Sequence, residues 1–241
     1  QIILGDHDQR GNVSALLLHT HRSSRWGLPS LYRSVSLPLP GSEGSRKLEL
    51  LLLDSIGLEG GVGAELLQNR RFLKDYTEEF AGGAAGEGQW AWLDEAVRAP
   101  AGGGDEGTTV MRLVAAHRPV ISLVPRKRSE AEEAVESRLR TRLQDAAKST
   151  PVMFLHGHDH AMQVWKDRAA DVHHFGNGVG GMALHPLPKN GAHGEHEDLV
   201  WADSQAYGFA VHELGPMSLA THFVDAGTGK VMHSFEMAFA E

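Results

Sequence analysis

The residues best suited to chemistry lie in the segment Gly157-His158-Asp159-His160, which follows the apolar run Val152-Met153-Phe154-Leu155. In an extended backbone successive side chains point to opposite faces, so this spacing predicts that His158 and His160 project to the same side. Gly157 leaves room for a close approach. Two imidazoles on one side of a strand end suit a metal site, especially one with two adjacent metals. Taken alone, the same pair is equally typical of two surface or hydrogen-bonded histidines.

Two further clusters favour the metal interpretation. Gly5-Asp6-His7-Asp8 follows the short apolar run Gln1-Ile2-Ile3-Leu4, which we expect to form a strand. His117-Arg118-Pro119 follows a second strand-like run at residues 110–116. Ligands in open α/β sheets gather at the carboxyl ends of the strands. Three β-type runs that each end in histidine or aspartate therefore predict one shared site.

The elements that must position this site are strands alternating with helices. A near-continuous apolar run at 48–53 predicts a strand that is buried on both faces. Ser129 and Glu132 have the spacing of a capping box at the start of a helix, and Pro151 ends that helix. Its buried stripe is predicted from apolar residues that recur every three or four positions: Ala131, Ala134, Val135, Leu139, Leu143 and Ala146. A helix between two strands forms a βαβ unit, which brings His117 and His158 side by side.

The remaining segments are assigned from the same kinds of pattern. They are a short helix within 60–73, a Gly/Ala-rich loop at 81–88, a helix at 89–98, a flexible solvated loop at 100–107, and antiparallel strands at 208–214, 218–224 and 231–239 that complete a second sheet. Two adjacent histidines, His173 and His174, point to opposite faces of a strand, and we expect neither to bind metal. Three others lie in a polar loop and are expected to be exposed: His185, His193 and His196.

Composition excludes several classes of protein. The chain has 241 residues and a mass of 26.2 kDa, enough for one domain with a substantial core. A formal charge of −8 and a pI near 6.0 argue against a general nucleic-acid binder. Without cysteine there can be no disulfide, thiolate metal site or cysteine nucleophile. No apolar run approaches the roughly 18–20 residues of a transmembrane segment.

The ordered motifs resemble those of the calcineurin-like metallophosphoesterases, and within them the purple (tartrate-resistant) acid phosphatases. That family carries Gly-Asn-His-Asp/Glu, then Gly-His-x-Pro, then Gly-His-x-His. The sequence has Gly5-Asp6-His7-Asp8, Ala116-His117-Arg118-Pro119 and Gly157-His158-Asp159-His160. The resemblance covers nearly the whole chain. It implies a single domain, 1–241, of the α/β (α+β) class: a β-sandwich of two mixed sheets flanked by helices.

Two departures from the family pattern affect the expected function. The family's Asp-x-His segment and the segment with its metal-bridging Asp precede the first of these motifs, which stands here at the start of the sequence. We therefore expect the chain to correspond to the C-terminal two-thirds of the family domain. Its sandwich would be incomplete at the N-terminus, with a protein partner covering that edge. In addition, Asp6 replaces the family's Asn ligand, and Arg118 stands where the family has a second histidine.

By resemblance, the site would hold two divalent or trivalent metal ions, Fe, Zn or Mn, that hydrolyse a phosphate monoester. By motif position, Asp6, His117 and His158 would bind one metal, and His160 would bind the other. The second metal would then keep one ligand in this chain. Without a bridging carboxylate, two adjacent cations repel each other strongly at low dielectric. The chain as given would accordingly hold one metal or none.

Three residues would have catalytic roles by the same resemblance. His7 would stabilise the transition state or donate a proton to the leaving group. Asp8 would orient the His7 imidazole. Arg118 would either contact a substrate phosphate in a bidentate manner or be a surface replacement for a lost catalytic histidine, and the sequence favours neither.

Two hypotheses about function follow. The favoured one is a phosphatase-derived chain that is inactive as given and serves as a structural or interaction subunit of an organellar complex. The competing one is an active phosphatase whose N-terminal segment is cleaved, lies outside the given sequence or is supplied by another chain. A secreted, lysosomal or vacuolar location would suit that enzyme. A third class is a regulatory module that binds phosphate without cleaving it.

Overall fold

The computed structural model describes residues 1–60, 84–99, 101–102, 107–188 and 198–239. Its helices are α1 (Asp6–Gln9), α2 (Val13–His19), α3 (Ser55–Leu58), α4 (Ala84–Arg98) and α5 (Glu130–Ala146). Its strands are β1 (Arg33–Pro38), β2 (Arg46–Leu52), β3 (Thr108–Ala116), β4 (Val152–His156), β5 (Met162–Asp167), β6 (Val172–Asn177), β7 (Leu199–Asp203), β8 (Gly208–Leu214), β9 (Ser218–Asp225) and β10 (Val231–Ala238).

The strands form two sheets that pack against each other. The larger sheet has the order β1-β2-β3-β4-β6-β5-β7, with β2, β3, β4 and β6 parallel and the outer pairings antiparallel. The smaller sheet is antiparallel, in the order β10-β9-β8. Buried Met153, Phe175 and Phe223 belong to the core between the sheets. The predicted sandwich of two sheets flanked by helices is confirmed.

Helix α5 connects the two strands that carry the histidine motifs. Ser129 Oγ accepts the Glu132 N–H, and Glu132 accepts the Ser129 N–H, so the predicted capping box is confirmed. The helix packs Leu139 and Leu143 against Phe154 of the central sheet. Strands β3 and β4 are adjacent and parallel, as the βαβ prediction requires. Their carboxyl ends therefore lie next to each other.

The buried stripe of α5 is narrower than predicted. Ala131 and Ala134 are exposed. In the first turn the inward position is taken by Glu132, which pairs with arginines of the preceding loop. A buried charged contact thus replaces the apolar residues expected at this end of the helix.

Two segments differ from the sequence-based expectation. Residues 1–4 are not a strand: the Ile2 N–H donates to Gly27 O, and Leu4 packs in a small cluster with Val13 and Leu28. A run of three apolar residues, Ile2 to Leu4, can be packed in this way without pairing in a sheet. The loop predicted for 81–88 is also wrong where it is described, because α4 begins at Ala84. Gly86 is buried, and a Cβ there would lie 2.9 Å from Gly57 O, so this glycine lets the helix pack closely.

Some predictions concern residues outside the described ranges. They are the helix at 61–73, the loop at 81–83, most of the loop at 100–107, and the positions of His193 and His196. Within the described ranges, no helix has the length and apolar character needed to cross a membrane.

Candidate metal centre

Three elements that are distant in sequence bring Asp6, His117 and His158 together. Asp6 opens α1, His117 follows β3, and His158 follows β4. The ends of the two strands are tied directly, because the Gly157 N–H donates to His117 O at 3.0 Å. The predicted convergence of the three motifs at one place is therefore observed for these three side chains.

One atom from each of these residues points to a common centre. Asp6 Oδ1 lies 2.9 Å from His117 Nε2 and 3.6 Å from His158 Nδ1, and the two imidazole nitrogens are 3.1 Å apart. Ligand bonds of ~2.0–2.1 Å in a tetrahedral site place ligand atoms ~3.3 Å from one another. The observed triangle matches that spacing closely. A carboxylate with two imidazoles also forms a donor set that suits zinc, iron or manganese, so the residues fit a metal ion.

The Asp6 carboxylate is strongly favoured in its charged form. Its hydrogen bond with His117, together with the nearby His158 imidazole, holds the pKa of Asp6 far below the usual range. Its second oxygen, Oδ2, lies 3.3 Å from Arg10 Nη2. Asp6 therefore presents a permanently ionised oxygen to the histidine pair, which is the form that a metal requires.

The position of α1 depends on the contacts of the residues at its two ends. A Cβ at Gly5 would lie 2.8 Å from His117 Cε1, so a side chain at position 5 would displace this imidazole. Asp8 Oδ2 accepts the Gly5 N–H at 2.9 Å and so caps the helix, while its expected role in orienting His7 stays a prediction. Gln9 Nε2 donates to Asp54 Oδ2 at 2.9 Å inside the protein. Burial raises the pKa of Asp54 to about 6.

The backbone around His158 is not extended, so the geometric reason given for its joint orientation with His160 is wrong. His158 has φ 60°, in the left-handed region that non-glycine residues seldom adopt. His158 faces His117 and Asp6, whereas the His160 ring stacks on His185 with centroids 4.2 Å apart. His160 Nδ1 also lies 2.6 Å from Ala183 O. Among the described residues, the three-ligand cluster does not include His160, and its role in holding a second metal stays a prediction.

The two remaining predicted residues, His7 and Arg118, have different surroundings. The His7 side chain is 78% exposed, with Nε2 4.0 Å from Asp6 Oδ2, so it borders the site at the surface. The Arg118 guanidinium is directed to Glu59 and Glu132, with Nε 2.8 Å from Glu59 Oε1. Its two alternative roles, contact with a substrate phosphate and replacement of a lost catalytic histidine, both stay predictions.

Other histidines and one arginine complete the surroundings. His173 and His174 are buried in β6, and the three-ligand cluster found among the described residues does not include them. The expectation that neither binds metal stays a prediction. His185 was expected to be exposed, but it is half-buried because its Nδ1 accepts the His160 N–H. Sequence analysis did not identify Arg126, whose Nε lies 3.1 Å from Asp159 Oδ1, because Arg126 lies in a loop that carries no recognised motif.

Known proteins with similar sequences are acid phosphatases. No family model matches the chain. Tartrate-resistant acid phosphatase type 5 of Sus scrofa is 26% identical over 238 residues, which cover 93% of this chain and 60% of that protein. The corresponding protein of Oryctolagus cuniculus is 26% identical over 235 residues, covering 93% of this chain and 63% of that protein. The chain thus spans about three-fifths of the length of these relatives.

Solved structures share the fold. GAP50, the anchor in the inner membrane complex of Plasmodium, matches with a TM-score of 0.70 and 18% identity, over 99% of this chain and 65% of that one. Purple acid phosphatase PPD1 from yellow lupin seeds matches with a TM-score of 0.51 and 12% identity, over 86% of this chain and 32% of that one. Together, these similarities support a relationship to the metallophosphoesterases at low identity.

Proposed function

We propose that this metallophosphoesterase-like chain binds one metal ion and serves as a structural or interaction subunit, not as a phosphatase. The observation that carries the proposal is the separation of the two expected ligand groups. Asp6, His117 and His158 converge, whereas His160 is engaged with His185 and Ala183. This arrangement supports a single three-ligand site.

A metal at this site would be held by Asp6, His117 and His158, and when bound it would supply Lewis acidity. The protein's own contribution would be mechanical. The three ligands come from α1 and from the ends of β3 and β4, so one ion would cross-link three segments of the chain. An ion or molecule that binds only the folded state of a protein stabilises that state by mass action, and a structural metal ion acts in this way.

Two features argue against phosphoryl transfer. Asp6 carries a full negative charge at the cluster, where the related phosphatases have an uncharged amide by motif resemblance, and this charge would repel an anionic substrate. The Arg118 guanidinium, the candidate phosphate ligand, is instead directed to Glu59 and Glu132. Burial raises the pKa of Glu59 to about 8, so Glu132 is the carboxylate that pairs with Arg118 near neutral pH. Arg118 would have to leave both side chains before it could bind a phosphate.

A role in an assembly is supported by the smaller sheet. Strand β8 lies at its edge and exposes Phe209 and Val211, which are 47% and 36% exposed. Ile3 and His212 line a cavity of about 320 Å³ beside this strand, so the N-terminal segment and β8 border the same opening. Unpaired edges in natural proteins are usually covered, which supports a protein partner at this N-terminal edge. GAP50, which shares the fold, is described as an anchor in a membrane complex.

The test combines metal content with turnover. The purified chain should hold about one equivalent of Zn²⁺, Mn²⁺ or Fe by mass spectrometry of the metals, and p-nitrophenyl phosphate should not be hydrolysed. His158→Ala should abolish metal retention, whereas His160→Ala, the matched control, should leave it intact. In cell extracts the chain should migrate with a large assembly. Two metals per chain with steady turnover would refute the proposal.

The competing function is an active dinuclear phosphatase acting on phosphate monoesters. The position of His7 favours it, since this exposed imidazole borders the cluster where a leaving group would depart. In that case p-nitrophenyl phosphate turnover should be present and should be lost in His7→Ala. Binding of inorganic phosphate without turnover would indicate the third class, a module that recognises phosphate without cleaving it.

A further inference from the structure

Asp159 is a buried carboxylate in the middle of the metal-binding motif. It lies between His158 and His160, and its side chain is inaccessible to solvent. Within the described ranges, neither carboxylate oxygen accepts a hydrogen bond. Its countercharge is Arg126, whose Nε lies 3.1 Å from Oδ1. An ionised group removed from water is strongly disfavoured unless it is paired, so Asp159 depends on this arginine.

The backbone on either side of Asp159 is tightly folded. His158 has φ 60°, a conformation that persists only where the surroundings impose it. The Asp159 N–H donates to Gly157 O at 2.7 Å, and the Ala161 N–H donates to Asp159 O at 2.8 Å. On one side the turn lies against Gly178, where a Cβ would come within 2.0 Å of Asp159 O. On the other side, its side chain is held by Arg126.

Arg126 is itself fixed by α5. Its Nη1 lies 2.8 Å from Glu132 Oε1, and its Nη2 lies 3.0 Å from Glu136 Oε1. Glu132 is the capping-box residue of that helix. The guanidinium therefore connects the first turns of α5 to the loop that carries His158. Arg128 is a neighbour in the same network, with Nε 3.0 Å from Glu136 Oε1.

We propose that Arg126 is a positioning residue for the metal ligand His158 and acts through Asp159. This inference rests on the proposed metal-binding function. Without Arg126, the Asp159 carboxylate moves toward water and pulls on the turn. His158 then relaxes from its left-handed conformation, and its Nδ1 leaves the position 3.1 Å from His117 Nε2. Partners of metal ligands commonly tune metal affinity in this way.

The first measurement is the affinity of the full chain for Co²⁺, determined by calorimetry. The d–d absorption spectrum of the bound ion is recorded as well. Arg126→Ala should weaken binding by at least about tenfold and alter the absorption spectrum. Arg126→Lys keeps the charge and should recover part of the affinity. Arg128→Ala, the matched control, should bind within about twofold of the wild type. Equal affinities and spectra for Arg126→Ala and Arg128→Ala would overturn the proposal.

A double-mutant cycle tests the route through Asp159. In the Asp159→Asn background there is no buried carboxylate to neutralise, so the further change Arg126→Ala should alter Co²⁺ affinity by no more than about twofold. This double variant lacks both charges, so its folding does not depend on the pair. A further tenfold loss in this background would show that Arg126 acts by another route, and the proposal would fail.

Hydrogen exchange in the metal-free protein separates this inference from the function on which it rests. The amides of Asp159 and Ala161 should exchange at least about tenfold faster in Arg126→Ala than in Arg128→Ala. If the wild type binds no Co²⁺ but this difference appears, positioning by Arg126 stands and the metal-binding function fails. If exchange is the same in both variants, the positioning role is wrong whatever the wild type binds.

Discussion

His174 should make the protein sensitive to acid. The side chain has no exposed surface, and it lies in β6 between Phe154 of β4 and Trp165 of β5. The Phe154 ring is 5.7 Å away at an angle of 64°. Neither ring nitrogen has a hydrogen-bond partner within the described ranges. Burial therefore lowers the pKa of His174 from 6.5 to about 3.

The sign and size of the effect follow from proton linkage. In the unfolded chain the imidazole takes up a proton as the pH falls through about 6.5, whereas in the folded protein it stays neutral until about pH 3. The free energy of unfolding is therefore highest above the unfolded pKa and decreases as the pH falls. At pH 5, about 1.5 pH units below the unfolded pKa, the loss from this one group is about 2 kcal/mol.

The assay is urea denaturation at pH 7.5 and pH 5, with EDTA present and ionic strength held constant. The variant His174→Leu should lose about 2 kcal/mol less than the wild type between these two pH values. His156 is buried in the same layer, and its lowered pKa of about 4 leaves part of the dependence in place. His21→Leu changes an exposed histidine and serves as the control. If the wild type and His174→Leu lose the same free energy, the reasoning from burial is refuted.

Three further predictions concern packing and helix capping. Gly178→Ala would force a Cβ within 2.0 Å of Asp159 O and should lower the free energy of unfolding by about 1–3 kcal/mol, measured in urea. Gly180→Ala, with open space around its Cβ, should change it by less than about 0.5 kcal/mol, and equal losses would contradict the clash. Ser129→Ala removes the cap of α5 and should cost about 1 kcal/mol, which a Ser129→Thr variant should largely restore. Leu139→Ala, at a fully buried position, should cost about 2–5 kcal/mol in thermal or urea unfolding, and a loss below about 1 kcal/mol would contradict the assigned core.

The parts of the fold that could be predicted are those for which several sequence patterns indicate the same element. Helix α5 has a capping box, a repeated apolar spacing and a proline after its end, and it lies where these signals place it. Strands β3 and β4 are apolar runs on either side of this helix, so their parallel pairing followed from the connection. The convergence of His117 and His158 was a consequence of that pairing.

The predictions failed where contacts with residues distant in sequence determine the conformation of a short segment. Residues 1–4 are apolar enough for a strand, but packing of Leu4 on Leu28 buries them in another way. The left-handed conformation of His158 has no sequence signal, because non-glycine residues seldom adopt it and the residue type does not favour it. The pairing of Arg126 with Asp159 could not be predicted either, because it joins residues that are far apart in sequence.

The three candidate ligands are far apart in the sequence. This separation determines the stage of folding at which the protein could bind an ion. Asp6 and His117 are 111 residues apart, and His117 and His158 are 41 residues apart. Contacts between residues so far apart in sequence form late in folding, because the entropy of closing a long loop is lost before the contact can stabilise the structure. If the chain binds an ion as proposed, capture during biosynthesis would have to await the pairing of β3 with β4 and the docking of α1, and a nascent chain would offer only isolated, weak ligands. Occupancy of this centre would then report on whether an individual molecule has finished folding.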